Sequence, residues 1–358
     1  MTDFISIILP VFNGEKFLKE AVKSILSQTF PNFELIIIDD GSTDNSVEII
    51  KSFNDDRIKL LSNWKNEGLI FSLNRGLSIV TGKYIARMDA DDIAHPDRLK
   101  IQFEFMESNP DVDICGTWIL RFGSLLRRGL LKLPCRNDEI KASLLFYNPL
   151  VHPSVIFKRE FIVKNRLKYS NDFKGAEDYN MWVEMIASSA KTANIPESLL
   201  RYRTSDLSIS GNIFFNQQRL EERFKLVSEI QRKLFIAVFP RVKFKPEIHS
   251  LIYKMKFHTE FLKIDDVKDI ADWLNELKEF NRLSKYCDVV IFDKVIAEIF
   301  YDVCSKTTYI GTKLYKEFSG FSKFLTCRKY KLFCKCLIKW GYLEMLLKKS
   351  YLKEYGKK

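Results

Sequence analysis

Met88-Asp89-Ala90-Asp91-Asp92-Ile93 places three carboxylates within four positions, between the apolar run Tyr84-Ile85-Ala86 and His95-Pro96-Asp97-Arg98. Carboxylates this close repel one another, and an oxygen-only cluster suits a hard dication such as Mg²⁺ or Mn²⁺. A dication held in this way can in turn bind a phosphate ligand. A second acidic pair, Asp39-Asp40-Gly41-Ser42, closes the apolar run 33–38, and a third, Glu177-Asp178, follows Gly175-Ala176. Taken singly, each has a structural reading: DDGS as a turn and helix cap, Asp91-Asp92 as a cap before Pro96, and Glu177-Asp178 as favourable charge at a helix start.

Alternating strands and helices present these clusters. Strands are predicted at 4–9, ending at Pro10, and at 33–38, 57–61 and 83–88; helices at 15–28, from a Thr43-Asp44 cap to 53, and at 67–80. That order implies a parallel sheet flanked by helices, an α/β fold in which ligands bind beyond the carboxyl ends of the strands. The clusters at 39–40 and 89–92 both fall at such ends, so they can face one ligand. Further on, 112–122 reads as one or two strands broken at Gly116, and 151–157 as a strand with an early proline. A helix starts near Glu177-Asp178, with Trp182, Met185 and Ile186 as its apolar stripe. The text beyond 221 is helical.

The chain has 358 residues, 46% of them hydrophobic, enough for a sizeable core. No apolar run is long enough to span a membrane, and Met1-Thr2-Asp3-Phe4 lacks the basic start of a signal peptide, so a cytoplasmic protein is expected. The seven cysteines show no paired CxxC spacing, and free buried thiols are expected. Residues 305–358 carry 14 basic and 3 acidic side chains, a difference equal to the whole net charge of +11.

In order and spacing, six motifs resemble those of the family-2 inverting glycosyltransferases of bacterial cell-surface polysaccharide type. They are Ile8-Leu9-Pro10-Val11-Phe12-Asn13-Gly14, Ser27-Gln28-Thr29, the segment from Glu34 to Asp44, Asn66-Glu67-Gly68, Gly82-Lys83-Tyr84-Ile85 and Asp89-Ala90-Asp91-Asp92. A fainter block matches through His152-Pro153-Ser154 and Gly175-Ala176-Glu177-Asp178. The resemblance implies a Rossmann-like GT-A domain over 1–220, with a nucleotide-sugar-binding half at 1–105 and an acceptor-binding half at 106–220. A basic helical extension follows at 221–358.

It also implies roles. Asp40 would meet the base edge or ribose with Asp39 beside it, and Pro10, Phe12, Asn66, Gly68 and Ala90 would line the donor nucleotide. Asp91 and Asp92 would hold Mn²⁺ or Mg²⁺, with Asp89 supporting the sugar or the metal shell. Asp178 matches the family's catalytic base, and Glu177 would position the acceptor or the base. His152 and Trp182 belong to the acceptor side, although His152 reads equally well as a hydrogen-bonded core histidine. The loop 65–68 either closes over the nucleotide or is solvated, and Arg98 either reaches phosphate or forms a surface ion pair.

The implied activity is metal-dependent inverting transfer from a nucleotide sugar, UDP-linked, to a glycan or lipid-linked glycan. Processive members carry a Gln-x-x-Arg-Trp motif and membrane helices; here Gln217-Gln218-Arg219-Leu220 stands in its place, which favours single addition. Two other readings compete. A phosphohydrolase would use Asp89 as nucleophile but leaves Asp39-Asp40 unexplained. A non-catalytic nucleotide-sugar binder would have no use for Asp178. In the tail, within 321–358, Arg328, Lys331, Lys335 and Lys339 gather on one helical face and Leu332, Phe333, Leu337 and Trp340 on another. This pattern suits peripheral contact with the inner face of an anionic membrane, or packing on the catalytic domain with a solvated basic face. No nucleic-acid recognition motif is present, so a nucleic-acid partner is not expected.

Overall fold

The computed structural model describes residues 4–124, 128–204, 217–255 and 262–307. The tail considered for membrane contact lies outside the described residues. The chain divides into two compact units, 1–234 and 235–358.

The first unit is built on a nine-stranded sheet. In chain order the elements are β1 (Ile5–Val11), α1 (Glu15–Leu26), β2 (Phe33–Asp39), α2 (Ser46–Lys51), β3 (Ile58–Ser62), α3 (Leu69–Ile79) and β4 (Tyr84–Arg87). There follow β5 (Ile93–Ala94), α4 (Arg98–Ser108), β6 (Ile114–Phe122), β7 (Gly129–Leu131), α5 (Asn137–Leu144), β8 (Ile156–Lys158), α6 (Arg159–Lys164), α7 (Glu177–Ala187) and β9 (Thr192–Arg203). A longer helix, α8 (Gln217–Val238), comes next and contains residue 220.

Strands β3-β2-β1-β4 form the parallel half, and every residue of β1, β2 and β4 is buried, as expected of strands covered on both faces. Leu18, Ala21, Val22 and Ile25 of α1 join Ile5, Ile7, Leu9, Leu35 and Ile37 in one core layer. On the opposite face a Cβ at Gly76 of α3 would stand 2.7 Å from Ile8 Cγ2, so only glycine allows this approach.

Several expectations are corrected. β1 does not end at Pro10 but runs on to Val11. Ile8 O accepts from Met88 N, and strand alternation turns Pro10 to that same side, one step past the last β1–β4 pair, so its missing N–H breaks no rung. The sheet is mixed, because β8 pairs antiparallel with β4, and β6 antiparallel with β8. The segment 151–157 is not a continuous strand: His152–Ser154 forms a 3₁₀ turn before β8. β6 is unbroken at Gly116, where an added Cβ would collide with Asn194 Oδ1. β9 was not expected at all. Pro196 and Glu197 interrupt its apolar pattern, and the β6–β9 register shift between Thr117 and Trp118 absorbs them as an irregularity.

The second unit includes α9 (Pro246–Met255), α10 (Ile264–Ser284) and α11 (Val289–Lys306). Phe235, Phe244, His249 and Trp273 form its aromatic core, with Phe235 and Trp273 stacked at 5.5 Å. No described helix is long and apolar enough to cross a membrane. Cys115, Cys287 and Cys304 are buried and Cys135 is half-buried, and no disulfide joins the described cysteines.

Candidate active site

The carboxyl ends of β1, β2 and β4 share one rim. Val11 O accepts from Asp40 N, Asp39 O accepts from Asn63 N, and a Cβ on Gly14 would stand 3.7 Å from Ala90 Cβ. Pro10 is buried inside β1, whereas Phe12, just past its end, is 47% exposed on this rim.

Asp39 and Asp40 are both buried, and both are engaged. Asp39 Oδ1 accepts from Ser42 N at 3.1 Å. Asp40 accepts from Glu67 N (3.0 Å), Gly68 N (2.8 Å) and Asn63 Nδ2 (2.7 Å). The Asp40 carboxylate ties the backbone of the 63–68 loop to the rim, while residues 64–67 are exposed. Asn66 is exposed between these ties, and Gly68 takes φ +94.

The aspartates 89, 91 and 92 converge, each offering an oxygen within 4.8 Å of the others. Asp89 is paired with Arg87. Asp92 is fully buried; its Oδ1 accepts from Arg203 N at 2.7 Å, and its Oδ2 has no partner among the described residues. Arg203 Nε also donates to Asp91 O at 2.8 Å, while its guanidinium lies over Phe17 and Phe122. Burial first, and the Asp89 charge second, push the Asp91 carboxyl up to about 6; burial with Asp89 and Asp91 holds Asp92 well above the usual carboxylate range. A buried carboxylate oxygen without a donor is costly, and a cation shared among three aspartates satisfies it. The residues present thus fit a divalent metal.

Arg98 is at neither of its expected places. It is buried beneath the cluster and donates to Arg87 O (2.8 Å) and Gln102 Oε1 (3.0 Å). Burial pulls its guanidinium down to about 10.

Glu177 and Asp178 open α7. Asp178 Oδ2 accepts from Asn148 Nδ2 at 2.8 Å and Oδ1 from Tyr179 N at 2.7 Å, while Glu177 accepts from Gly175 N at 2.7 Å. Burial raises both carboxyls, and for Glu177 the Asp178 charge adds to it. His152 is buried with Nε2 2.9 Å from Tyr169 Oη, and burial with the Arg87 charge keeps its pKa well below the usual histidine range, so the ring is neutral. Trp182 is fully buried edge-on to His152, so the expected acceptor contact is corrected: it has no surface to touch a ligand.

Sequence reasoning missed Arg87, Arg203, Asn148 and Tyr202. Arg87, buried at the end of β4, acts electrostatically on Asp89, Asp91, Asp92, Glu177 and Asp178. Its place directly before the acidic cluster was the one available signal. Arg203 and Tyr202 lie on the unexpected β9.

A mixed sheet with an acidic rim at the ends of its parallel strands, followed by helices, is the architecture of the GT-A fold. Residues 6–166 match the profile of Glycosyl transferase family 2. An uncharacterized glycosyltransferase of Haemophilus influenzae is 34% identical over 236 residues, 63% of this chain and 72% of that one. The Escherichia coli UDP-Glc:alpha-D-GlcNAc-diphosphoundecaprenol beta-1,3-glucosyltransferase WfgD is 31% identical over 224 residues, 61% of this chain and 85% of its own. The chain belongs to the family 2 glycosyltransferases and is a transferase enzyme. Among solved structures, S. aureus TarS with UDP-GlcNAc superposes with a TM-score of 0.53 at 18% identity, covering 89% of this chain and 91% of that one. The mannosyltransferase PcManGT of Pyrobaculum calidifontis, in complex with GDP-Man and Mn²⁺, gives 0.50 at 15% identity over 83% and 87%. Both likenesses are of fold.

Proposed function

We propose that this enzyme moves a sugar from a UDP-linked donor to a hydroxyl of a glycan or lipid-linked glycan, by single addition with inversion and dependence on Mn²⁺ or Mg²⁺, in cell-surface polysaccharide synthesis. The observation that carries the reading is the Asp89–Asp91–Asp92 cluster, with its buried, partnerless Asp92 oxygen, on the same rim as Asp39 and Asp40. The UDP-Glc donor and diphosphoundecaprenol-linked acceptor in the name of the Escherichia coli relative support the choice of substrates.

In this reading Asp91 and Asp92 hold the metal, with Asp89 fixed by Arg87 at its edge. When bound, the cation neutralises charge that develops on the departing nucleoside diphosphate. Asp40 orders the 63–68 loop that borders the nucleotide, Phe12 offers an aromatic face at the end of β1, and Asn66, Gly68 and Ala90 complete that border. Asp178 accepts the proton of the acceptor hydroxyl as its oxygen attacks the anomeric carbon opposite the diphosphate, which leaves with the bonding electron pair. Its raised proton affinity makes it the stronger base for that step. Glu177, fixed by Gly175 N, positions the acceptor, and neutral His152 lines that side.

Release of UDP from UDP-glucose, with Mn²⁺ or with EDTA, tests the reading. Metal-dependent UDP release, lowered about 100-fold or more in Asp91→Ala, is the expected result. Inorganic phosphate as product would establish a phosphohydrolase, and binding without either product a non-catalytic binder.

A further inference from the structure

We infer that Asn148 is a positioning residue of the transfer reaction, holding the Asp178 carboxylate in the orientation from which it takes the acceptor proton. The inference rests on Asp178 being the base.

Asn148 sits between α5 and the 3₁₀ turn at His152–Ser154, and the chain from Leu144 to Pro149 is tied at every second or third residue. Leu144 O accepts from Tyr179 Oη at 2.5 Å, Phe146 O from Gln231 Nε2 at 2.7 Å, and Pro149 O from Asn194 Nδ2 at 3.1 Å. The ties come from α7, α8 and β9 respectively, so three elements fix one short segment. Its outward reach is the Asn148 side chain. Leu150 N donates to Asn148 Oδ1 at 3.1 Å, which sets the amide's orientation. Turning the amide over would lose that bond and set an oxygen against a carboxylate. Nδ2 therefore faces Asp178 Oδ2 as a donor, at 2.8 Å.

The other carboxylate oxygen is held by Tyr179 N, so the group is fixed at both ends. The ends of that fixation differ in kind. The Tyr179 bond is local to the start of α7 and follows from the helix itself, whereas the Asn148 bond crosses 30 positions of sequence and depends on the tied segment. The charged and titratable groups around Asp178 are Glu177 beside it, Arg87 from β4, Arg223 from α8, and Tyr169. Arg223 also donates to Gly175 O, so α8 supports both the turn before Glu177 and, through Gln231, the segment that carries Asn148.

A purely structural Asn148 would leave the behaviour of the Asp178 carboxyl unaltered. Full-length protein labelled with ¹³C aspartate reads that carboxyl directly by NMR across pH, its signal assigned by its loss in Asp178→Asn. Asn148→Asp keeps an acceptor for Leu150 N and so keeps the turn, but replaces the donor with a like charge. Asn148→Ala removes the donor without adding charge and covers the case in which Asn148→Asp does not fold. The Asp178 titration is expected to move up by about one pH unit in Asn148→Asp and about half a unit in Asn148→Ala. The acid limb of Mn²⁺-dependent UDP release from UDP-glucose should move with it, with KM for UDP-glucose unchanged. A titration that stays at its wild-type pH in the folded variants overturns the inference, as does a titration shift that the acid limb does not follow. Undiminished UDP release by Asp178→Asn overturns instead the assignment of Asp178 as base, whatever the Asn148 variants do.

Discussion

Two buried guanidiniums act on the aspartates, Arg87 on all three and Arg98 on Asp92; without them the carboxylates would repel one another with little water to screen them. A divalent cation held by these aspartates, as proposed, would compete with protons. Asp91 has its carboxyl raised from 3.8 to about 6 by burial and by Asp89. A carboxyl raised on folding contributes stability below its unfolded value near 3.8, and that contribution is lost as pH rises through about 6. A bound cation prefers the ionised form, so the stabilisation by Mn²⁺ should grow over the same interval. Thermal melts with and without MnCl₂ at pH 5 and pH 7.5 check this: the metal-induced rise in Tm should be small at the lower pH and clearly larger at the higher. Asp91→Asn should show little metal-induced rise at either.

Among the elements, the rim is assembled by backbone geometry that few residues tolerate. Gly41 takes φ +72, and a Cβ there would stand 2.6 Å from the Lys65 carbonyl carbon and 2.9 Å from Asn66 N. The β2 exit and the 63–68 loop are in contact only because this position has no side chain, and Asp40 then secures the loop from the next position. Gly41→Ala is therefore expected to destabilise the protein by about 1–3 kcal/mol and to weaken UDP binding by displacing the loop. Denaturant titration reads the first effect and the UDP-induced thermal shift the second. The motif DDGS was visible in the sequence, as was its placement at a strand end. The partners of Asp40 were not, because Asn63, Glu67 and Gly68 approach it through a fold-dependent loop closure more than twenty residues away.

At the scale of the first unit, Arg87 couples the two chemical halves. It is paired with Asp89 at the aspartate cluster, and its charge also bears on Glu177 and Asp178 at the start of α7. Replacing it by glutamine removes a cation that favours ionisation at both places, so two pH dependences should move together. In Arg87→Gln the pH at which Mn²⁺ begins to stabilise the protein and the acid limb of UDP release should both rise, by about half to one unit. A shift in only one would show that the halves are electrostatically independent. The same substitution leaves buried carboxylates without their cation and is expected to lower stability by about 3 kcal/mol or more in metal-free protein at neutral pH.

The amino-acid sequence by itself determined the four parallel strands β1 to β4, the rim position of the two aspartate clusters, and the candidate base at a helix start. Each of these depends on local pattern: apolar runs that end in turn residues, and charge at the ends of elements. Tertiary structure alone decided that β9 joins β6 across the interruption at Pro196-Glu197 and brings Arg203 to Asp91 and Asp92. It also decided that Trp182 is covered, that Arg98 lies under the cluster, and that Asn148 meets Asp178. These outcomes depend on contacts between residues distant along the chain, where burial and hydrogen-bond satisfaction are settled by packing and leave no periodic trace in the sequence.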